Sequence, residues 1–402
     1  MNHYPHLLLT LGVITASAPM LGETARVIPF REFLDATRAM SPIREGRNLS
    51  DRNFEAMRSH VLSLYQSVDV RQSYADGEDL FDCIPVEQQP SIRGLGLSSI
   101  AAPPPPAEDA SAAQKPLCAP GTIPMRRIAL AELMRFASLD EYLRKSPVRA
   151  VKAGKYDFHR YATFKQTVDN LGGNSSINIW SPYVDTSAGQ VLTGSQQWYS
   201  GGYGSVLQTV EVGWHNFPGK YGDQRSRLFI YYTADDYNYT GCFNLDCSAF
   251  VQVSSAVALG GAFGGYSVAG GTQREFRAQF LLYSGNWWLA IDGVWIGYYP
   301  ASVFKGGQMT KFAQEIEFGV DIMTDGSTWP AGGSGAWATT GFGSAAYQRN
   351  VYYAKTSGDY AWANLTSVRT SEWCIDTAGP FSSSTVGWGV YFYAGGPGGK
   401  GC

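Results

Sequence analysis

A single glutamate, Glu211, sits within Gln208-Thr-Val-Glu-Val-Gly-Trp-His-Asn-Phe-Pro218, an apolar and aromatic stretch with the pattern of a strand. Apolar walls push a carboxyl group towards a raised pKa, because burial disfavours the charged form. Such a group can serve as a general acid or base. The competing arrangement is an ordinary strand carboxylate facing solvent or paired with Arg225 or Arg227. His215 lies four residues on and would suit a serine hydrolase, but no Gly-x-Ser-x-Gly segment accompanies it.

Residues well beyond Glu211 must hold it in place, and composition divides the chain near residue 156. All eleven tryptophans follow that point, whereas 18 of the 31 Lys and Arg precede it. The second part reads as short runs at Ser176–Trp180, Ser195–Tyr199, Gln208–Trp214, Arg227–Thr233, Ser248–Val253, Arg274–Tyr283, Trp287–Ile291, Val294–Tyr299, Ala313–Met323 and Gly387–Tyr393. Gly, Asn, Asp and Pro separate these runs and no long helical periodicity intervenes, which predicts a mainly β fold, an antiparallel β-sandwich over residues 156–402. The segment Pro300–Phe304 is left between a loop and a single helical turn.

The first part is different. Ser50 is a suitable N-cap for a helix whose apolar face carries Phe54, Met57, Val61, Leu62 and Tyr65. A second helix is expected over about 128–136, and Ser138 with Glu141 forms a capping box for a short third one ending near Lys145. Residues 101–107 hold four consecutive prolines and read as an extended excursion. The stretch 146–156 is basic, small and aperiodic, as in a linker. Residues 26–155 therefore read as a small α+β unit ahead of the sandwich.

The apolar run Leu7–Ala18 ends in Ala16-Ser17-Ala18, the anatomy of a secretory signal within residues 1–25. Secretion is the expectation. The six cysteines fall in local groups, Cys83 with Cys118, Cys242 with Cys247 and Cys374 with Cys402, which favours disulfides. Zinc is disfavoured, because only His159 and His215 follow residue 156 and no Cys-x-x-Cys spacing occurs. No metal or cofactor is expected. A net charge of −3 gives no basic footprint for nucleic acid, and no apolar run of the length that spans a membrane is present.

Asp82-Cys-Ile-Pro-Val-Glu-Gln-Gln-Pro90, Thr122-Ile-Pro-Met-Arg-Arg127, Glu211-Val-Gly-Trp214, Tyr231-Tyr-Thr233, Gly241-Cys-Phe-Asn-Leu-Asp-Cys247, Asn286-Trp-Trp-Leu289, Gly297-Tyr-Tyr-Pro-Ala-Ser302 and Gly395-Gly-Pro-Gly398 resemble the neprosin family, in the same order. The resemblance implies a glutamic peptidase zymogen, with an activation peptide ahead of a β-sandwich and a preference for cutting after proline. Of the family's two glutamates, one matches Glu211, and the position of the other holds Asp321 in Glu317-Phe-Gly-Val-Asp-Ile-Met323. Glu317 shares a strand face with Asp321 and is the fallback partner.

Two carboxyl groups facing one water divide the work: the ionised member deprotonates the water and the neutral one polarises the carbonyl or protonates the amine. Activity at acidic pH follows. Gln196, in Ser195-Gln-Gln-Trp198, resembles a family position and suits an oxyanion donor. Trp198, Trp214, Tyr231 and Tyr298 are candidates to line a prolyl pocket. Partners expected are proline-containing substrates and the chain's own propeptide as inhibitor. An aromatic-cleft glycoside hydrolase, or a sandwich that binds carbohydrate or peptide without catalysis, would use similar residues.

Overall fold

The computed structural model describes residues 27–42, 49–96, 102–104, 115–145, 158–369 and 373–402. The expected signal segment, the 146–156 linker and most of the proline run lie outside them.

Helices α1 (Phe30–Ala39) and α2 (Asp51–Leu64) are followed by strands β1 (Gln72–Asp76) and β2 (Asp79–Pro85), helix α3 (Pro90–Leu95) and strand β3 (Thr122–Arg126). The three strands form an antiparallel sheet in the order β1-β2-β3. Ser50 caps α2 by accepting from Asn53 N at 3.2 Å, and Phe54, Met57, Val61 and Leu64 are its buried face. Tyr65 ties this helix to β3, since its hydroxyl donates to Arg126 O and accepts from Ile128 N. The helix expected over 128–136 shrinks to one turn, α4 (Leu130–Leu133). Helix α5 (Leu139–Leu143) is capped by Ser138, and Glu141 accepts from Ala137 N.

The rest is one large curled antiparallel sheet. Its strands are β4 (His159–Asn178), β5 (Gln190–Gly201), β6 (Gln208–Asn216), β7 (Arg227–Thr233), β8 (Val251–Gln252), β9 (Glu275–Tyr283), β10 (Asn286–Ile291), β11 (Val294–Pro300) and β12 (Ala313–Thr324). They run in the order β7-β6-β5-β12-β4-β9-β10-β11-β8, and the strand Tyr347–Lys355 adds a further partner for β4. The mainly β expectation holds, and the two layers come from one sheet folding over itself.

Strand β4 makes the turn. Its first half pairs with β12 and its second half with β9. At the change of partner Gly172 has φ +115°, and a Cβ there would stand 2.2 Å from Phe280 O, so only glycine fits. The two halves meet across a core in which Tyr199 of β5 lies 6.5 Å from Trp287 of β10. Pro300–Phe304 resolves as a 3-10 turn over Ala301–Phe304.

Disulfides join Cys83 to Cys118, Cys242 to Cys247 and Cys374 to Cys402. Three such bonds are consistent with an extracellular protein. Among the described residues no helix is long and apolar enough to cross a membrane.

Buried ion pairs bind the N-terminal unit to the sheet. Arg225 and Arg227 both contact Asp79, and Arg227 also reaches Asp223. Lys220, on the turn α6 (Pro218–Tyr221), pairs with Asp246 and lies 3.4 Å from the centre of the Tyr142 ring. Glu211 is thus not the partner of Arg225 or Arg227.

Candidate active site

Side chains alternate along a strand, so β6 has two unlike faces. Val210, Val212 and Trp214 enter the core, while Thr209, Glu211, Gly213 and His215 face away from it. Register then builds a row across the sheet: Glu211 stands opposite Trp198 on β5 and Tyr231 on β7, and Trp198 stands opposite Glu317 on β12. Asp321 lies four residues along β12, on the same face as Glu317.

Glu211 is fully buried and saturated with donors. Its Oε1 accepts from Thr209 at 3.0 Å and from the Tyr237 hydroxyl at 2.6 Å. Its Oε2 accepts from Gln196 Nε2 at 2.8 Å and from Lys145 Nζ at 2.6 Å. Gly213 makes this possible, since a Cβ there would fall 2.4 Å from Cβ of Gln196 and displace its amide. The Glu-x-Gly-Trp segment therefore has three jobs: a carboxylate on the working face, room for Gln196, and an indole in the core that donates to Asn178 O.

Asp321 is also buried. His159 Nδ1 lies 2.8 Å from its Oδ1, and Lys145 Nζ lies 3.6 Å from its Oδ2. One ammonium therefore touches both carboxylates, and the two oxygens it faces are at most about 6.2 Å apart, the sum of its two contacts. Burial pushes the Asp321 carboxyl up, but its interactions with His159 and then Lys145 outweigh it and hold the group below the usual aspartate range. Lys145 Nζ also lies 5.1 Å from the Trp198 ring centre and 6.0 Å from that of Phe229.

Glu317 instead hydrogen-bonds to the Thr163 hydroxyl. Burial pushes its carboxyl up to about 7, against the pull of that hydrogen bond. Its folded pKa exceeds the ordinary value of 4.5, so the stability it contributes is complete below pH 4.5 and lost as pH rises through about 7. Glu317→Gln is expected to remove that loss. Thermal unfolding at pH 4.5 and pH 7.5 checks it: the drop in Tm between them should shrink in the variant, and an unchanged drop would mean that Glu317 titrates normally.

Of the residues expected at the site, Glu211, Asp321, Gln196, Trp198 and Tyr231 come together. Trp214 does not, because it is three residues from Glu211 on a strand and points into the core. Tyr298 does not either. It lies beside Trp288 on the outer face of the other half of the sheet, their ring centres 4.6 Å apart. His215 is stacked on Phe229 at 4.3 Å, and burial, followed by the cations Lys220, Lys145 and Arg227, holds its pKa well below the usual value. It meets the hydroxyl of Tyr221 and not that of a serine.

Thr209, Tyr237, Lys145 and His159 are additions that sequence reasoning missed. Strand alternation alone would have placed Thr209 beside Glu211. Tyr237 sits at φ +59° in the loop after β7, where Asp235 accepts from Thr240 N and Thr233 accepts from Tyr237 N. Nothing in the sequence signals that conformation.

A curled antiparallel sheet carrying two buried carboxylates on its outer face is an arrangement suited to acid–base hydrolysis. Residues 189–397, just over half of the chain, match the neprosin family, and the chain belongs to that family. Membership implies a peptidase acting on peptide substrates and suggests prolyl endopeptidase activity.

Proposed function

We propose that the chain is the zymogen of a secreted glutamic-type endopeptidase that cuts after proline, with Glu211 and Asp321 as its catalytic pair. The position of Lys145 Nζ carries this reading. An ammonium held against both carboxylates occupies the place a reactant would take, and a water there would lie within reach of both. Once the cation leaves, two carboxylates this close share a proton more readily than both ionise.

The steps then follow. Glu211 takes a proton from the water, whose oxygen attacks the scissile carbonyl carbon, and Asp321, which takes up a proton in acid once Lys145 no longer pairs with it, donates towards the departing amine. Gln196, whose amide already points to this position, donates to the oxyanion. Trp198, Phe229 and Tyr231 form the apolar wall next to the pair, a surface suited to a prolyl ring. The neutral member must stay protonated, so activity is favoured in acid.

Residues 26–155 are the propeptide in this reading, and Lys145 is its plug. His159 is buried and already paired in β4, so the cut that frees the plug falls after Lys145 and before His159. The release site in this reading therefore falls within residues 146–158. The test is a fluorogenic peptide with proline at the cleaved bond, assayed at acidic and neutral pH after acid treatment of the full chain. Cleavage after proline is expected only in treated protein, with a new N-terminus between 146 and 159. Equal activity before and after treatment would reject the zymogen, and no cleavage at any pH would reject the peptidase.

A further inference from the structure

On the outer face of the β8–β11–β10 half of the sheet, Val251, Tyr298 and Trp288 form a row across three strands. Trp295 closes one side, its ring 6.4 Å from that of Trp288 at 71°. The core separates this face from Glu211. A proline segment meets its Trp295 edge: Pro103 is buried, and the Trp295 indole N–H donates to Pro104 O at 3.0 Å. Ile92 of α3 packs on the same cluster.

Two of the three hydrogen-bonding groups here are indole N–H groups, which can only donate, and the third is a tyrosine hydroxyl, which can donate as well as accept. Besides the Trp295 N–H, the fully buried Trp288 Nε1 and Tyr298 Oη have no hydrogen-bond partner among the described residues. A buried polar group without a partner is costly, and indole nitrogen can only donate. A polyproline segment is the complementary ligand, because its backbone has carbonyl acceptors and no N–H, its rings stack on aromatic faces, and its extended helix loses little entropy on docking.

We propose that the Trp288–Trp295–Tyr298 face is a binding site for proline-rich polypeptide, occupied in the intact chain by Pro103 and Pro104 and open to a second chain once that segment leaves. The site goes beyond the proposed peptidase centre and does not require it. It would hold a proline-rich partner at a distance from the carboxylate pair, whether or not the partner is cut.

Fluorescein-labelled deca-L-proline is the probe, its anisotropy titrated with the full chain and its integrity confirmed by mass spectrometry. The variant P103S/P104S removes the internal competitor and is expected to bind the probe at least tenfold more tightly than the parent chain. In that background Trp295→Ala should abolish binding. Trp295→Phe, which keeps a ring but loses the N–H, should weaken it about fivefold, as expected for one neutral hydrogen bond. Trp295 is half-buried, and near-ultraviolet circular dichroism confirms that each variant is folded. Three results would overturn the proposal: no gain on removing the prolines, binding indifferent to Trp295, or equal binding of a glycine-serine peptide of the same length. Because binding is read directly, a failure of the peptidase assay leaves this test intact, and the reverse also holds.

Discussion

Glu211→Gln is expected to lower kcat on a proline-containing peptide by about a thousandfold, within the range a positioned general base supplies, with KM changed much less. The substitution keeps the shape of the side chain and removes its basicity. It also spoils the hydrogen bonding, because Oε1 and Oε2 each receive donors, Thr209 and Tyr237 at one and Gln196 and Lys145 at the other. An amide must point its NH2 at one of these sets, so a cost of roughly 1–3 kcal/mol in stability accompanies the loss of rate. Thermal unfolding measured beside the kinetics separates the two effects.

Asp321→Asn extends the test to the second carboxylate, with a loss of about a hundredfold or more expected. Asp321→Glu is the informative contrast. It adds one C–C bond, about 1.5 Å, and carries the carboxyl towards the gap that Lys145 spans. It should keep at least a tenth of the parent's kcat, because a carboxyl remains in reach, whereas the amide of Asn at the right distance cannot donate a proton as an acid. If Asp321→Asn cleaved normally and Glu317→Gln did not, the acid would be Glu317 and the pair would have been assigned to the wrong row of the sheet.

Much of this architecture was legible because local rules and the global fold agree. Ser50 caps the helix it was expected to cap, and the alternation in β6 puts Glu211 and Trp214 on opposite faces without any structure. That same alternation should have kept Trp214 out of a proposed pocket. Tyr298 was misplaced for another reason: the sequence shows that it alternates with Tyr299, but not which half of a curled sheet carries it. The first half of β4 escaped notice because Lys165, Gln166, Thr167, Asp169 and Asn170 make a polar run, and its strand character comes from pairing with β12, about 150 positions away. Lys145 is the extreme case. Sixty-six positions separate it from Glu211, and at the end of a short helix a lysine is ordinarily a solvated one.

Lys145→Met should therefore change when the chain opens more than whether it folds. Methionine keeps an apolar stem against Trp198 but leaves Glu211 and Asp321 buried without their shared cation, and breaking a buried pair from one side costs about 3–5 kcal/mol. For Asp321, burial pushes the pKa up and the interactions with His159 and Lys145 pull it down further, so its folded pKa lies below the ordinary 3.8. A depressed carboxyl pKa stabilises the closed arrangement above pH 3.8, and that contribution is lost as pH falls through the folded value. Without Lys145 the depression shrinks, the closed arrangement is weaker at every pH above 3.8, and opening begins at a higher pH. Incubating the full chain at stepped pH and following its conversion by mass spectrometry should show the midpoint rise by about one pH unit or more, equivalent to about 1.4 kcal/mol per unit. An unchanged midpoint would make Lys145 a bystander and place the control of opening in the other ion pairs across the same boundary, Asp79 with Arg225 and Arg227.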